Sequence, residues 1–458
     1  MKRIFIALLA MSAVATAFAA KPKYVFLFVG DGMGMGHVMA AETYNRTVLS
    51  NDENILMTRF PVASWAMTYS ANSPITDSAA AGTALATGHK TKNGMIGMNP
   101  DTVAVESVSH ELKKKLGYGV GIVTSVCYDD ATPATHFAHQ ANRRMYEKIN
   151  RDGAASGFDF IAGGNTLARS DKEKMERIFD CYRANGYTVA QGIEALKSQN
   201  HGKKILVTAP YCEGATQIGY TIDSIPGAAS LQQLTQLCLD HLKEVSPKKF
   251  FMMVEGGNID HAAHGNDGGA VVKEVLNLQE SIQIAYDFYL EHPEETLIVV
   301  TADHDTGGMS IGVSNGPAQP TLKNIDYQRI SKERFSDLCA VEGGDSWEEM
   351  KRFISAKVGL WSHIPVSEIE EARMLESYGR MKQKAASTQK TLYKDFNEFT
   401  AVVFDILNHK AGFGFTTLSH TGNPVPVFAV GAGCEAFADL NNNIEIPQKI
   451  RKLTGLAK

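Results

Sequence analysis

Short uninterrupted apolar runs alternate along this chain with stretches in which apolar residues recur every three or four positions. YVFLFVG (Tyr24 to Gly30), VGIVTSV (Val120 to Val126), FDFIAGG (Phe158 to Gly164), KILVTA (Lys204 to Ala209), FFMMVEG (Phe250 to Gly256) and TLIVVTA (Thr296 to Ala302) are continuous runs dominated by Val, Ile, Leu and Phe. Runs of this kind predict strands buried on both faces, as in a parallel sheet covered by helices. VPVFAVG (Val425 to Gly431) supplies a late strand. The fold class is therefore α/β, with a mostly parallel central sheet and helices on both faces.

The texture changes between residues 313 and 412. The segment opens with the loop-like SNGPAQP, after which helical signals dominate. Ser346 with Glu349 and Ser367 with Glu370 fit the capping box, in which hydroxyl and carboxylate satisfy first-turn donors reciprocally. NEFTAVVFDILNHKAG (Asn397 to Gly412) reads as an amphipathic helix with a glycine stop. We read 21–312 as the α/β core, 313–412 as a helical insertion, and 413–458 as a return to the core with the last strand and a C-terminal tail.

Residues 1–20 stand apart. Lys2-Arg3 precede IFIALLAMSAVATAFA, which ends in small residues, so this stretch predicts a secretory signal cleaved near Ala19 or Ala20 and a periplasmic or secreted protein. Its apolar run is too short for a membrane anchor, and no other segment is long and apolar enough to span a bilayer. The rest is ordinary globular composition, 44% hydrophobic and 21% charged. The net charge is −5 and becomes more negative once Lys2 and Arg3 are removed, which argues against an electrostatic grip on nucleic acid. None of the 6 cysteines forms a CxxC pair, so thiolate-bound zinc is not expected. Cys127 reads as a buried free thiol, and Cys181 with Cys212 is the disulfide to test first.

Four of the strand runs end in acidic residues. Asp31 follows the first, Asp129-Asp130 the second, Glu255 ends FFMMVEG, and Asp303-His304 follow TLIVVTA. The carboxyl ends of parallel strands open onto one edge, where ligands bind. Carboxylates gathered there repel one another unless cations sit among them. Mixed Asp, Glu and His suits zinc, whereas oxygen-only sets suit magnesium. In VEGGNIDHAAH, Asp260 and His264 are four apart and share a helix face, able to hold one metal, while Glu255 faces another. His420, in LSHTGNP, is a lone histidine before the last strand.

Other segments admit two readings. In TDSAAAGTALATG, Ser78 lies at a predicted helix start, either as a phosphate site or, with Asp77, as a simple N-cap. GDGMGMG has the wrong spacing for a dinucleotide loop and reads as a flexible strand-to-helix turn, which leaves Asp31 in mid-loop unexplained. In YDDATPATH, Pro133 suits a first helical position and Thr132 its N-cap. Arg143, in HQANRRMY, reads on spacing alone as an ordinary solvated helix arginine.

Taken in order, GDGMG, TDSAAAGTA, DDATPA, Arg143, VEGGNIDHAAH, TADH and SHTG resemble the alkaline phosphatase family. The resemblance covers most of 24–312 and about 415–433. It implies a phosphate monoesterase with two zinc ions and one magnesium ion, working as a homodimer through a phosphoserine on Ser78. Asp260, His264 and His420 would bind the first zinc. Asp31, Asp303 and His304 would bind the second beside Ser78. Asp31 would bridge to magnesium with Asp130, Thr132 and Glu255, and Arg143 would hold two phosphate oxygens. Around that third ion some members carry Asp with Lys and others carry two His; this chain combines Asp130 with His261. The alternatives are a related metal hydrolase acting on phosphodiesters, sulfate esters or phosphonates, a non-catalytic phosphate-binding protein, and a purely structural metal site.

Overall fold

In a computed structural model of the full chain, residues 21–168, 172–199, 202–210, 217–317, 319–384 and 386–457 are described. The predicted signal segment and Cys212 lie outside them, and with Cys212 the proposed disulfide.

Nine strands form the central sheet in the order β2-β15-β8-β1-β7-β3-β4-β6-β5. They are β1 (Tyr24–Gly30), β2 (Val62–Ala66), β3 (Gly119–Cys127), β4 (Phe160–Gly164), β5 (Tyr187–Gln191), β6 (Lys204–Thr208), β7 (Phe250–Glu255), β8 (Thr296–Ala302) and β15 (Val425–Gly431). All pairings from β8 through β5 are parallel. β15 is antiparallel to both of its neighbours, so it alone runs against the rest. Two strands escape a reading based on apolar runs. β2 (VASWA) and β5 (YTVAQ) lie at the two edges, where one side of the strand is wet and the pattern is mixed.

Every residue of β1, β3, β7 and β8 is buried, as continuous apolar runs require. Helices flank the sheet: α1 (Met35–Thr47), α2 (Ser78–Thr87), α3 (Val108–Leu116), α4 (Ala131–Ala134), α5 (Tyr146–Ala155), α6 (Lys172–Ala184), α7 (Ile193–Lys197), α8 (Leu231–Val245), α9 (Asn258–His264), α10 (Gly268–Glu291) and, near the C-terminus, α15 (Glu445–Thr454). The register matters most for function. Gly30 stands beside Ala302 and Val29 beside Glu255, so Asp31, Asp303 and Glu255 emerge at one level of one edge.

Beyond β8 come short strand pairs. β9 (Asp305–Thr306) pairs with β14 (His420–Thr421), and β10 (Ser310–Ile311) with β13 (Phe413–Gly414). Between them lie α11 (Lys332–Glu342), α12 (Trp347–Val358), α13 (Glu368–Lys382), the pair β11 (Thr388–Gln389) and β12 (Phe396–Asn397), and α14 (Glu398–Ala411). These helices share a separate apolar cluster that includes Phe335, Phe353, Ile354, Phe399 and Phe404. Both predicted capping boxes form, at Ser346 and Ser367, and α14 ends at Gly412 in a left-handed conformation.

Candidate active site

The turn after β1 carries Asp31 and explains the glycines around it. Gly32 has φ +69°, and a Cβ there would lie 2.8 Å from Asp260 Oδ1. At Gly34 a Cβ would lie 1.8 Å from Asp305 Oδ1. The turn is therefore held by close approach to the neighbouring loops, not by flexibility. Its Gly32 N–H donates to Asp303 Oδ1 at 3.0 Å, tying the ends of β1 and β8 together.

Ser78 is the first residue of α2 and is 1% exposed. Asp77 is its N-cap, accepting from Ala80 N, and Asp77 Oδ2 also accepts from Gly94 N at 2.9 Å. With the cap filled by Asp77, the Ser78 hydroxyl is free for another task. Its Oγ lies 3.2 Å from His304 Nε2. His304 Nε2 in turn lies 3.1 Å from Asp303 Oδ2 and 3.4 Å from Asp31 Oδ1. Asp31, Asp303 and His304 thus form one compact group with potential ligand atoms within 4.8 Å of one another, and Asp260, His304 and His420 form a second. His264 adjoins the second group. Its Nε2 is 3.4 Å from Asp260 Oδ2 and 3.1 Å from His420 Nε2. Both imidazoles have their other nitrogen against a carbonyl, His264 Nδ1 on Leu418 O (2.6 Å) and His420 Nδ1 on Thr76 O (2.8 Å). That arrangement fixes the ring and leaves Nε2 for a ligand.

The remaining candidates converge from β7 and α4. Glu255 ends β7, with Oε2 accepting from Thr124 Oγ1 and Oε1 without a partner. The Thr132 hydroxyl is also buried and unpartnered. Two local expectations need correction. α4 begins at Ala131 with Asp130 as its N-cap, so Thr132 sits inside the helix; the carboxylate of Asp130 captures Ala131 N first. Arg143 lies in a turn before α5. It is not solvated: it bonds Asp130 Oδ1 at 3.0 Å and approaches Asp77 Oδ2 at 3.5 Å. Burial works against its charge, but Asp130 and Asp77 hold its pKa above the usual value.

The electrostatics of the site favour positive charge. Burial, then Asp303, Asp260 and Glu255, raise Asp31 well above the carboxylate range. Burial chiefly pushes Glu255 up to about 8 and Asp303 up to about 7. Asp260 is the exception: burial opposes it, but His264, His420, His304 and His261 together hold its pKa down. Burial lowers His304 well below its ordinary value, keeping it neutral. Asp31 Oδ1, Asp303 Oδ2, Glu255 Oε1 and Thr132 Oγ1 are all buried without a hydrogen-bond partner. Buried oxygens of this kind, among neutral imidazoles, suit divalent cations in both chemistry and number.

Two residues at the site, Thr306 and Tyr393, were not singled out by the sequence motifs. Thr306 Oγ1 donates to Asp260 Oδ1 and lies 3.2 Å from His304 Nδ1. Tyr393, in the loop between β11 and β12, donates to Asp260 Oδ2 at 3.0 Å and packs on His261 with ring centres 3.7 Å apart. Burial lowers His261 to about 4, so beneath that tyrosine it is a neutral ring at neutral pH. Thr306 follows TADHD directly, which is the signal that points to it; nothing in the composition of TLYKDF singles out Tyr393.

The alkaline phosphatase family model matches residues 22–162 and 169–456. Alkaline phosphatase 4 of Bacillus subtilis is 30% identical over 455 residues, covering 96% of this chain and 90% of that one. The alkaline phosphatase of Schizosaccharomyces pombe is 27% identical, covering 93% of this chain and 80% of its own. The crystal structure of a cold-active alkaline phosphatase from Shewanella sp. superposes with a TM-score of 0.79 at 28% identity, covering 94% of this chain and 99% of that one. Among the described residues no helix is long and apolar enough to cross a membrane. Phosphate-ester hydrolysis is the chemistry these likenesses support, and the chain belongs to the alkaline phosphatase family.

Proposed function

We propose that the protein is an exported phosphomonoesterase that transfers the phosphoryl group to Ser78 and then to water. The observation that carries this reading is the Ser78 hydroxyl: buried at a helix N-terminus, relieved of capping by Asp77, and 3.2 Å from the imidazole shared by the two candidate metal groups. The donor set fits two zinc ions, one on Asp260, His264 and His420 and one on Asp31, Asp303 and His304. Asp31, Asp130, Thr132 and Glu255, an all-oxygen set, would hold a magnesium ion. When bound, such ions would lower the pKa of the serine and of water and stabilise the entering and leaving oxygens of an in-line displacement.

The chain's own residues do the rest. The N-terminus of α2 presents backbone N–H groups and the positive end of its dipole to the phosphoryl oxygens. The Arg143 guanidinium is the group to grip two of them, and Asp130 and Asp77 aim it. Ser78 Oγ attacks phosphorus, the bond from phosphorus to the ester oxygen breaks, and the alcohol departs. Water then attacks the phosphoserine from the vacated side, breaking the bond to Ser78 Oγ and releasing phosphate. A terminal phosphate offers Arg143 more free oxygens than a diester does, which favours monoesters.

A second copy is the proposed cover for one edge of the sheet. Trp65 on edge strand β2 and the following Met67 and Tyr69 are all substantially exposed, an apolar row of the kind a homodimer buries. Sedimentation of wild type against Trp65→Glu tests that part. The catalytic reading is tested with an aryl phosphate, quenching in acid and mapping the adduct. Phosphate on the peptide TDSAAAGTA at Ser78 is the expected result. An adduct on Thr76 or Thr83, or full turnover by protein shown to be metal-free, would defeat it.

A further inference from the structure

A second set of imidazole and carboxylate groups lies outside the strand-end site. Glu106 precedes α3, His110 sits in the first turn of α3, and His139 follows α4. One potential ligand atom from each lies within 4.8 Å of the others. His110 is 6% exposed, and its Nδ1 is buried with no hydrogen-bond partner, 3.5 Å from Glu106 Oε2. The His139 ring is fixed by the main chain, its Nδ1 lying 2.7 Å from Gly97 O. His139 therefore has one nitrogen held and one left over, and His110 keeps a buried, unpartnered Nδ1 beside Glu106, an arrangement that prepares histidine for a metal. The two rings lie nearly parallel, 19° apart, with centres separated by 6.5 Å.

We propose that Glu106, His110 and His139 bind a further divalent transition-metal ion, of which zinc is the first to test. Two imidazole nitrogens and one carboxylate oxygen favour zinc over magnesium or calcium, which prefer oxygen donors. A tetrahedral ion with bonds of about 2.1 Å needs its ligands roughly 3.4 Å apart. Glu106 Oε2 and His110 Nδ1 already stand 3.5 Å apart, and a nitrogen of His139 lies within 4.8 Å of both groups. Glu106 is 49% exposed. Its exposed side leaves the fourth position to water. Two features oppose the ion. Lys114 Nζ holds Glu106 Oε1 at 3.1 Å, and the start of α3 carries the positive end of a helix dipole. The site therefore fills at higher zinc concentration than the strand-end groups.

The ion's place in the chain suggests its effect. Ile96 pairs with Gln140, and Arg143 N donates to Gly94 O at 2.7 Å. An ion on His139 would pin to α3 the strap from 139 to 143 that carries Arg143. The experiment is a zinc count per chain by elemental analysis, after equilibrium dialysis of the full chain across the micromolar range. Wild type is compared with Glu106→Gln and with His139→Gln. Wild type is expected to take up one zinc more than His139→Gln, and Glu106→Gln to bind that last ion at least ten-fold more weakly. This difference does not depend on how many ions the strand ends hold, so it stands or falls separately from the catalytic reading. Glu106 is at the surface, so its substitution tests the idea even where a histidine variant folds badly. Equal zinc content in all three proteins over the whole range would overturn the proposal.

Discussion

The edge of the sheet where β1, β7 and β8 end and the helical region from α11 to α14 are both densely packed, yet they treat their polar atoms in opposite ways. In the helical region the polar groups answer one another. Ser346 and Glu349 cap reciprocally, as do Ser367 and Glu370. Glu371 takes hydrogen bonds from Trp347, Lys351 and Trp361, and Arg380 grips Glu398. Among the described residues of that region, only the Tyr378 hydroxyl is left buried without a partner. At the sheet edge, Asp31, Asp303, Glu255 and Thr132 each keep an unpartnered buried oxygen. An unsatisfied buried polar group costs about 1–3 kcal/mol. Four together on one edge mark a place built for something other than stability, while the helical region is built for stability and shape.

Substitutions in the two regions should therefore separate activity from folding. The largest effect is expected at Ser78. Ser78→Ala should lose about 10⁴-fold in kcat, roughly 5 kcal/mol of barrier, with the melting temperature close to wild type. Comparable loss of stability and activity would erase the distinction. Phe404, fully buried against Phe335, is the converse case. Phe404→Ala should destabilise by about 3–5 kcal/mol in denaturant while kcat at low temperature changes by less than about three-fold. A proportional fall in kcat would mean that the helical core and the site act as one unit.

The charge stored at the sheet edge gives a pH signature. Glu255 is raised from 4.5 to about 8 and Asp303 from 3.8 to about 7. Between those limits the metal-free native state retains protons that the unfolded chain has released. Their contribution to stability is then greatest at the acid end and is lost as pH rises towards about 8, by up to about 1.4 kcal/mol per unit for each carboxyl. Below about pH 6.5 the buried histidines, whose pKa burial lowers, act in the opposite direction. Melting of chelated protein at a series of pH values between about 7 and 8 should therefore show that decline, and reloading with divalent metal should flatten it. A rise with pH over that range in the chelated protein would contradict the picture of uncompensated carboxyls.

Tyr393 tests the boundary between the regions, since it reaches from one into the other. Tyr393→Phe removes the bond to Asp260 Oδ2 while keeping the ring on His261. A change of about three- to ten-fold in kcat/KM is expected, near the 0.5–1.5 kcal/mol of one hydrogen bond. No change in kcat/KM would leave the tyrosine a packing element only. Smallest of all is Ser346→Ala, which should cost about 1 kcal/mol of stability and leave phosphate inhibition untouched.

What the sequence determined by itself was whatever depends on local pattern. Continuous apolar runs specified the buried strands, because a strand covered on both faces has no polar side to show. Capping boxes and the glycine after Ala411 specified helix ends, because those bonds close within a few residues. The acidic residues after the runs marked the edge on which the candidate site lies, because parallel strands present their carboxyl ends together. Edge strands β2 and β5 stayed hidden, since half-wet strands lack that signature. Tertiary structure alone decided which atoms meet. The β1–β8 and β1–β7 registers bring Asp31, Asp303 and Glu255 to one level. The β9–β14 pairing brings His420 beside Thr306, 114 residues earlier in the chain, and so to the site. Burial then turned ordinary carboxyls into groups that hold protons or require cations, and it turned Arg143 from a presumed surface residue into one clasped between Asp77 and Asp130. Desolvation and long-range pairing exist only once the chain has folded, so no local pattern could have announced them.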